Sequence, residues 1–183
     1  MNRKAVSLLS GGLDSTLATK VVLNQAIEVV GLHFAMPWGC CDRTAAYSAA
    51  KLFGIPIMVF KMQEDYLEVI KKPKYGYGRA MNPCVDCRIH MYRKAKRYME
   101  TIGASFLITG EVLGQRPKSQ MLDSLKTIER DCELERLILR PLSAHLLDPT
   151  IPEEAGIVDR SSLLGISGRS RKIQMALAEE EGI

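Results

Sequence analysis

The chain has 183 residues, of which 46% are hydrophobic, and its formal net charge is +4. This length and composition are typical of one folded domain with a substantial core. The chain contains no apolar run long enough to cross a membrane, and the apolar stretch after the initial MNRK is too short for a secretory signal. We therefore predict a cytoplasmic protein. The slightly basic charge permits a nucleic-acid partner without requiring one.

Short apolar runs alternate with stretches of helical periodicity along the chain. The runs that predict strands are 5–9, 27–34, 55–60, 105–109 and 137–142. Apolar residues at helical spacing predict helices, namely Leu13, Leu17 and Val21, then Ala45, Ala49, Leu52 and Phe53, and then Met91, Ala95, Tyr98 and Ile102. Pro and Gly in 71–83 predict a long surface loop. The alternation predicts an α/β fold in which a parallel five-stranded sheet carries helices on both faces. We predict one domain over 1–183, with 146–183 as a helical extension.

The sequence SGGLDS follows directly after the first predicted strand. In a parallel α/β sheet such turns line the ligand crevice, and the next helix points its N-terminus into it. Gly11 and Gly12 let the backbone approach a bulky anion, Ser10 and Ser15 can donate to phosphate oxygens, and Asp14 can hold Mg²⁺ through water. The same residues suit a plain glycine turn in which Asp14 or Ser15 caps the helix. Local chemistry leaves both interpretations open.

SGGLDS resembles the SGG-x-DS signature of the PP-loop ATP pyrophosphatases, which cleave ATP between its α and β phosphates. Three further stretches, 39–60, 82–87 and 106–117, are similar to parts of tRNA 2-thiouridylases and 4-thiouridine synthetase-like proteins. The resemblance implies an adenine nucleotide alpha hydrolase-like, Rossmann-like three-layer fold. It also implies an ATP-dependent tRNA sulfurtransferase, which adenylates a uridine oxygen, releases pyrophosphate and replaces AMP by sulfur. A PP-loop ligase or amidotransferase-like enzyme acting on a small molecule and a non-catalytic nucleotide-binding protein are the alternatives.

The resemblance also implies which residues bind ATP and its Mg²⁺. These residues follow the first, second and fourth predicted strands, and Asp14 among them is expected to be catalytic. The predicted ATP-binding residues are Leu9, Ser10, Gly11, Gly12, Asp14, Ser15, His33, Phe34, Ala35, Thr109 and Gly110.

Five cysteines in a chain without a secretory signal argue against a disulfide framework. Cys84 and Cys87 form a C-x-x-C motif at the start of a basic helix, where a helix N-terminus favours thiolates, and Cys40 and Cys41 follow the second strand. As in thiolation enzymes that this chain resembles, we predict that Cys84, Cys87 and either Cys40 or Cys41 hold a [4Fe–4S] cluster with one iron open to sulfide. We also predict that Cys84 and Cys87 are catalytic in sulfur transfer. The alternatives are a persulfide on one of this pair, or a structural zinc site that adds His90 and Cys41 to it.

Basic residues cluster after the C-x-x-C motif, after the fourth strand and near the C-terminus. They predict contacts to tRNA phosphates, although runs of charge are commonly just solvated. The predicted tRNA-binding residues are Arg88, Arg93, Lys94, Arg97, Arg116, Lys118, Arg169, Arg171 and Lys172. Because one small domain offers limited surface to a tRNA, we expect a homodimer or a separate RNA-binding subunit. Sulfide or a persulfide carrier is the expected sulfur donor.

Overall fold

The computed structural model describes residues 2–36, 43–78 and 81–183. Its strands are β1 (Lys4–Leu8), β2 (Glu28–Ala35), β3 (Ile57–Lys61), β4 (Phe106–Ile108) and β5 (Ile138–Leu139). They form one parallel sheet in the order β3-β2-β1-β4-β5. Val6 of the central strand lies opposite Val30 of β2 and Leu107 of β4. The predicted parallel five-stranded sheet is confirmed.

The helices connect the strands and continue beyond the last of them. They are α1 (Leu13–Leu23), α2 (Arg43–Phe53), α3 (Glu64–Lys71), α4 (Cys84–Thr101), α5 (Leu122–Cys132), α6 (Ile151–Glu154) and α7 (Lys172–Glu180). The sequence did not predict α3, and the extension at 146–183 is helical only at α6, at α7 and in two short 3₁₀ turns. None of the described helices is long and apolar enough to cross a membrane.

Apolar side chains fill both faces of the sheet. Ala5 and Phe106 face one side, where they belong to the same buried cluster as Leu17 of α1. Val6 faces the other side and belongs to a second cluster with Tyr92 of α4. Neighbouring residues of a strand point to opposite faces, so a continuous apolar run such as that of β1 requires a cover on each face. The sheet and its two helical covers form the predicted three layers.

The buried face of α4 differs from the predicted one. Its buried residues are Val85, Ile89, Tyr92, Ala95 and Met99. The sequence analysis placed Met91, Ala95, Tyr98 and Ile102 on the apolar face, and all of these but Ala95 are only half-buried at the margin of the cluster. A helix that packs on a sheet buries a broad stripe, and periodicity alone placed the centre of this stripe about one position too early in the chain, at Met91 and Tyr98 instead of Tyr92 and Met99.

Candidate functional site

The turn between β1 and α1 is closely packed around Gly11. This glycine has φ +80°, and a Cβ added to it would lie 2.4 Å from backbone atoms of Ala45 and Ala46 in α2. A side chain there would therefore meet both backbone strain and a steric clash. Gly12 is the N-cap of α1, so the interpretation in which Asp14 or Ser15 caps this helix is wrong.

Two serine hydroxyls fix the shape of the turn. The Ser15 hydroxyl donates to the carbonyl of Gly12 at 2.9 Å and lies 2.9 Å from the hydroxyl of Ser10. The backbone N–H groups of Ser10 and Gly12 donate to the Ser15 and Ser10 hydroxyls, at 3.2 and 3.3 Å. The turn is thus arranged before any ligand binds, as required of a loop that is to meet phosphate oxygens with amides and hydroxyls.

Asp14 lies in the first turn of α1 and carries an unsatisfied carboxylate oxygen. Its Oδ2 accepts from Arg171 Nη2 at 2.8 Å and from Gln115 Nε2 at 3.3 Å. Its Oδ1 is buried and has no hydrogen-bond partner within the described residues. An orphaned carboxylate oxygen beside a helix N-terminus suits a hydrated Mg²⁺, which prefers oxygen ligands and keeps several of its waters.

The ends of β2 and β4 meet the same turn. A Cβ on Gly110 would lie 2.4 Å from the backbone nitrogen of Ser15, so the chain leaving β4 touches the start of α1. His33 near the end of β2 is buried, and its Nδ1 lies 3.1 Å from the carbonyl of Leu9. The fold therefore brings the residues predicted to bind ATP to one edge of the sheet. Their contact with ATP remains a prediction.

Cys84 and Cys87 begin α4. The Tyr66 hydroxyl donates to Cys87 Sγ at 3.1 Å, and a Cβ on Gly78 would lie 3.7 Å from Cys84 Sγ. Cys40 and Cys41 lie outside the described residues. Within 2–36, 43–78 and 81–183, no group of three His, Cys, Asp or Glu side chains is arranged to hold a metal ion, so a third cluster ligand would come from outside those ranges. Cys132 is buried in α5, where burial raises the pKa of its thiol to about 12.

His90 does not converge with the two cysteines. Its Nε2 lies 3.3 Å from Asp65 Oδ2, and burial lowers the pKa of the imidazole below its ordinary value. The zinc alternative required His90 as a fourth ligand beside Cys84 and Cys87. The described residues place the three side chains in no such group.

A buried ion cluster connects the chain after β4, which touches the turn between β1 and α1, with the helix that carries Cys84 and Cys87. Glu111 follows Gly110 in the chain, is 2% exposed, and pairs with Arg140 Nε at 3.1 Å and with Arg88 Nε at 3.4 Å. Arg88 follows Cys87 directly in α4, and Arg140 also pairs with Glu129. One acidic side chain thus bridges the strand end that touches Ser15 and the helix that carries the thiols, which places both at the same edge of the sheet.

The family model for Thiamine biosynthesis protein (ThiI) matches residues 1–146. The chain belongs to the ThiI family. Among curated relatives, the tRNA-specific 2-thiouridylase MnmA of Tropheryma whipplei (strain Twist) is 31% identical over 120 positions, which cover 58% of this chain and 33% of the relative. The Probable tRNA sulfurtransferase of Thermococcus kodakarensis is 29% identical over 198 positions, which cover 97% of this chain and 51% of the relative. This ThiI-family chain thus spans between a third and half the length of these relatives.

Solved structures share the fold of this family member. A 4-thiouridine synthetase in complex with RNA and ATP matches it with a TM-score of 0.59 and 24% identity, over 97% of this chain and 52% of the other. The U34-tRNA thiolase NcsA from Methanococcus maripaludis, solved with its [4Fe–4S] cluster, matches with a TM-score of 0.53 and 20% identity, over 98% of this chain and 56% of the other. At these identities the matches confirm the PP-loop fold.

Several basic residues predicted to bind tRNA have other contacts. Arg88 pairs with Glu111, and Arg171 with Asp14. Lys118 Nζ donates to the carbonyls of Tyr75 and Gly76 at 3.1 and 3.0 Å, and so fixes the loop beside Cys84. Nothing in the sequence around Lys118 or Arg171 distinguished these roles from a solvated charge. The remaining members of the predicted set, which are also exposed or half-buried, are Arg93, Lys94, Arg97, Arg116, Arg169 and Lys172.

Replacing Glu111 by glutamine is expected to lower the free energy of unfolding by about 3–5 kcal/mol, because it leaves Arg88 without its buried carboxylate and Arg140 with Glu129 alone. Urea denaturation of the two proteins at pH 7 measures this difference. A matched control is Glu133→Gln. Glu133 pairs with Lys96 at 2.8 Å with its side chain 85% exposed, so its loss is expected to cost less than about 1 kcal/mol. An equal decrease in the free energy of unfolding in the two variants would contradict a stabilising role for the buried cluster of Glu111, Arg88 and Arg140.

The same cluster predicts a dependence of stability on pH. Burial alone raises the pKa of Glu111, but Arg88 and Arg140 outweigh it and hold that pKa below its ordinary value. A carboxyl whose pKa is lower in the folded chain stabilises the fold above its unfolded pKa of about 4.3. This stabilisation is lost as the pH falls through the lowered pKa. The difference in stability between wild type and Glu111→Gln should therefore narrow below about pH 4.

Proposed function

We propose that this chain is the catalytic unit of an ATP-dependent tRNA thiouridine synthase. The observation that supports this most strongly is the series of contacts from Ser15 through Gly110 and Glu111 to Arg88. It brings the turn proposed to bind phosphate and the C-x-x-C motif to the same edge of the sheet. The names of the relatives, a 2-thiouridylase and a probable tRNA sulfurtransferase, support the same reaction.

The first step of the proposed reaction activates the uridine. Its carbonyl oxygen attacks the α-phosphate of ATP, the bond between the α and β phosphates breaks, and pyrophosphate leaves. The N–H group of Gly11 and the N-terminus of α1 bind the departing phosphates. Asp14 would hold a Mg²⁺ ion, which when bound would supply positive charge beside these phosphates. Closure of the turn by Ser10 and Ser15 keeps these donors in position before the substrate arrives.

The second step replaces AMP by sulfur. A sulfur nucleophile attacks the adenylated carbon, and AMP leaves with the former uridine oxygen on its phosphate. Cys84 and Cys87 present this sulfur from the first turn of α4, where the helix N-terminus and the Tyr66 hydroxyl favour a thiolate on Cys87. With Cys40 or Cys41 they would hold a [4Fe–4S] cluster, which when bound supplies an iron with an open position for sulfide. The alternative without a metal is a persulfide on one of the pair, received by exchange from a persulfide carrier. Its outer sulfur attacks the adenylated carbon, and the other cysteine then attacks its inner sulfur, which releases the thiolated base and leaves a Cys84–Cys87 disulfide for a thiol reductant.

A basic groove next to α4 offers a surface for the tRNA. It has a volume of about 580 Å³ and lies against β3, where Lys61, Lys94, Arg97 and Tyr98 line it. Lys94 is partly neutralised by Asp65 at 2.6 Å, whereas Arg97 is exposed. Phosphate contacts of this kind would make tRNA binding weaken with salt. In this proposal a second copy of the chain or an RNA-binding subunit supplies further tRNA surface, and sulfide or a persulfide carrier supplies the sulfur.

The decisive experiment measures pyrophosphate release and thiouridine formation by the chain purified without oxygen. With ATP, sulfide and unmodified tRNA, we expect pyrophosphate release that depends on tRNA, and thiouridine in the digested RNA. Iron and zinc analysis of the same sample distinguishes the cluster from the persulfide route. Pyrophosphate release that is independent of tRNA would contradict the proposal and favour an enzyme that acts on a small molecule.

A further inference from the structure

The C-terminal helix α7 runs parallel to α1, and its N-terminus lies at the phosphate-binding turn. At one end of the two helices Arg171 pairs with Asp14 at 2.8 Å. At the other end Glu181 accepts from Asn24 at 3.3 Å and pairs with Lys20 at 3.6 Å. Asp14 and Asn24 are ten positions apart in the chain, as are Arg171 and Glu181. Since both helices rise by the same amount per residue, their N-termini lie side by side.

The segment that leads into α7 is anchored to the loop after β4. The Gly168 N–H donates to the carbonyl of Leu113 at 2.8 Å. The Ser143 hydroxyl accepts from the N–H of Leu113 at 2.9 Å and donates to the carbonyl of Ile166 at 2.7 Å. Because three parts of the chain share these bonds, the start of α7 is fixed relative to β4. The position of Arg171 beside Asp14 therefore follows from the fold.

Two buried side chains of these helices carry polar atoms without a hydrogen-bond partner among the described residues. Asp14 Oδ1 is buried and lacks a hydrogen-bond partner among the described residues. Gln174, one turn after Arg171 in α7, is fully buried, and neither of its side-chain amide atoms has a partner in the described part of the chain. The Arg171 side chain is 51% exposed, so it can change partner without crossing the core. Two aligned helix N-termini and a guanidinium together suit a polyanion.

We propose that Arg171 binds the phosphate chain of ATP, and that Asp14 holds its guanidinium in place until the magnesium-bound nucleotide arrives. Arginine binds phosphate through two parallel N–H donors, which makes phosphate a strong competitor for it. Arg171 can therefore exchange its carboxylate partner for phosphate oxygens, which would leave Asp14 available to a Mg²⁺ ion. This assignment moves Arg171 from the predicted tRNA surface to the nucleotide. It rests on the proposed use of ATP but not on tRNA thiolation, and Arg171 lies beyond the residues 1–146 that the family model matches.

Calorimetric binding of Mg–ATP and of adenosine to Arg171→Gln and to wild type tests this proposal. Loss of a charged hydrogen bond to phosphate should weaken ATP binding by about tenfold to a hundredfold and leave adenosine binding unchanged. Arg171→Lys should lose less, because it retains the charge without the paired donors. A matched control is Arg130→Gln, which removes an exposed arginine that pairs with Asp131 at 3.2 Å. It should bind ATP as wild type does.

The Asp14→Asn background separates a phosphate ligand from a mere partner of Asp14. If Arg171 acts only on Asp14, adding Arg171→Gln to Asp14→Asn will not weaken ATP binding further, and the proposal is overturned. If Arg171 binds phosphate, the double variant will bind ATP more weakly than Asp14→Asn alone. Wild-type ATP affinity in Arg171→Gln would also overturn this inference while leaving the proposed function intact. Failure of the wild-type chain to bind ATP would overturn both.

Discussion

Asp14→Asn is expected to reduce tRNA-dependent pyrophosphate release at least about a hundredfold. The amide keeps the shape of the side chain but carries no charge to hold Mg²⁺ beside the leaving phosphates. It also loses the attraction that places Arg171, whose Nη2 lies 2.8 Å from Asp14 Oδ2. Because Oδ1 has no hydrogen-bond partner in the described residues, the folded state loses few bonds of its own. Release of pyrophosphate at saturating ATP, followed with and without tRNA, measures the effect.

Asp123→Asn is the matched control for this variant. Asp123 also lies in the first turn of a helix, α5, and it is exposed. Both substitutions remove one negative charge from a helix N-terminus, which costs a few tenths of a kcal/mol up to about 1 kcal/mol of stability. Only Asp14→Asn is expected to affect catalysis. Similar activity in the two variants would show that Asp14 does not act on the nucleotide.

The second large effect is expected for Cys87→Ser, which should abolish thiouridine formation while tRNA-dependent release of pyrophosphate continues. Serine retains a hydroxyl near Tyr66 but is neither a thiolate nor a soft metal ligand. The substitution removes the sulfur atom that lies 3.1 Å from the Tyr66 hydroxyl. The turn proposed to bind the nucleotide lies on the other side of Glu111, so pyrophosphate release should not depend on this sulfur. We therefore expect thiolated tRNA to fall by at least about 10³-fold, measured by mass spectrometry of nucleosides alongside pyrophosphate release.

Cys132→Ala is the control for thiol chemistry. Cys132 is buried, and burial raises the pKa of its thiol to about 12, so it stays protonated and inert at neutral pH. Its replacement should leave sulfur transfer intact. If Cys87→Ser yields thiolated tRNA at the wild-type level, the sulfur role of the C-x-x-C motif is wrong. If Cys87→Ser abolishes pyrophosphate release as well, adenylation and sulfur transfer both depend on Cys87 and the proposed separation of the two steps is wrong.

Local signals made much of this fold predictable. The strands β1 to β4 lie within two residues of their predicted bounds, because buried parallel strands are continuous apolar runs between turn residues. The fifth strand was predicted as 137–142 and is only Ile138–Leu139. Pro141 has no N–H group to donate to a ladder, so pairing ends before it. The amphipathic helix α3 was missed because its eight residues make only about two turns, too few for a helical period to stand out.

The sequence by itself determined that two short motifs, SGGLDS and the Cys84–Cys87 pair, lie at helix N-termini, because spacing and helix starts are local properties. Only the tertiary structure decided what surrounds them. Arg171 reaches Asp14 across 157 positions, and Glu111 reaches Arg88 and Arg140 from a different element in each case. An isolated arginine has the same sequence signature whether it meets solvent, a carboxylate or a phosphate. The partner of each arginine depends on how distant elements pack against the sheet. Hydrophobic periodicity reports local secondary structure and does not predict these tertiary contacts.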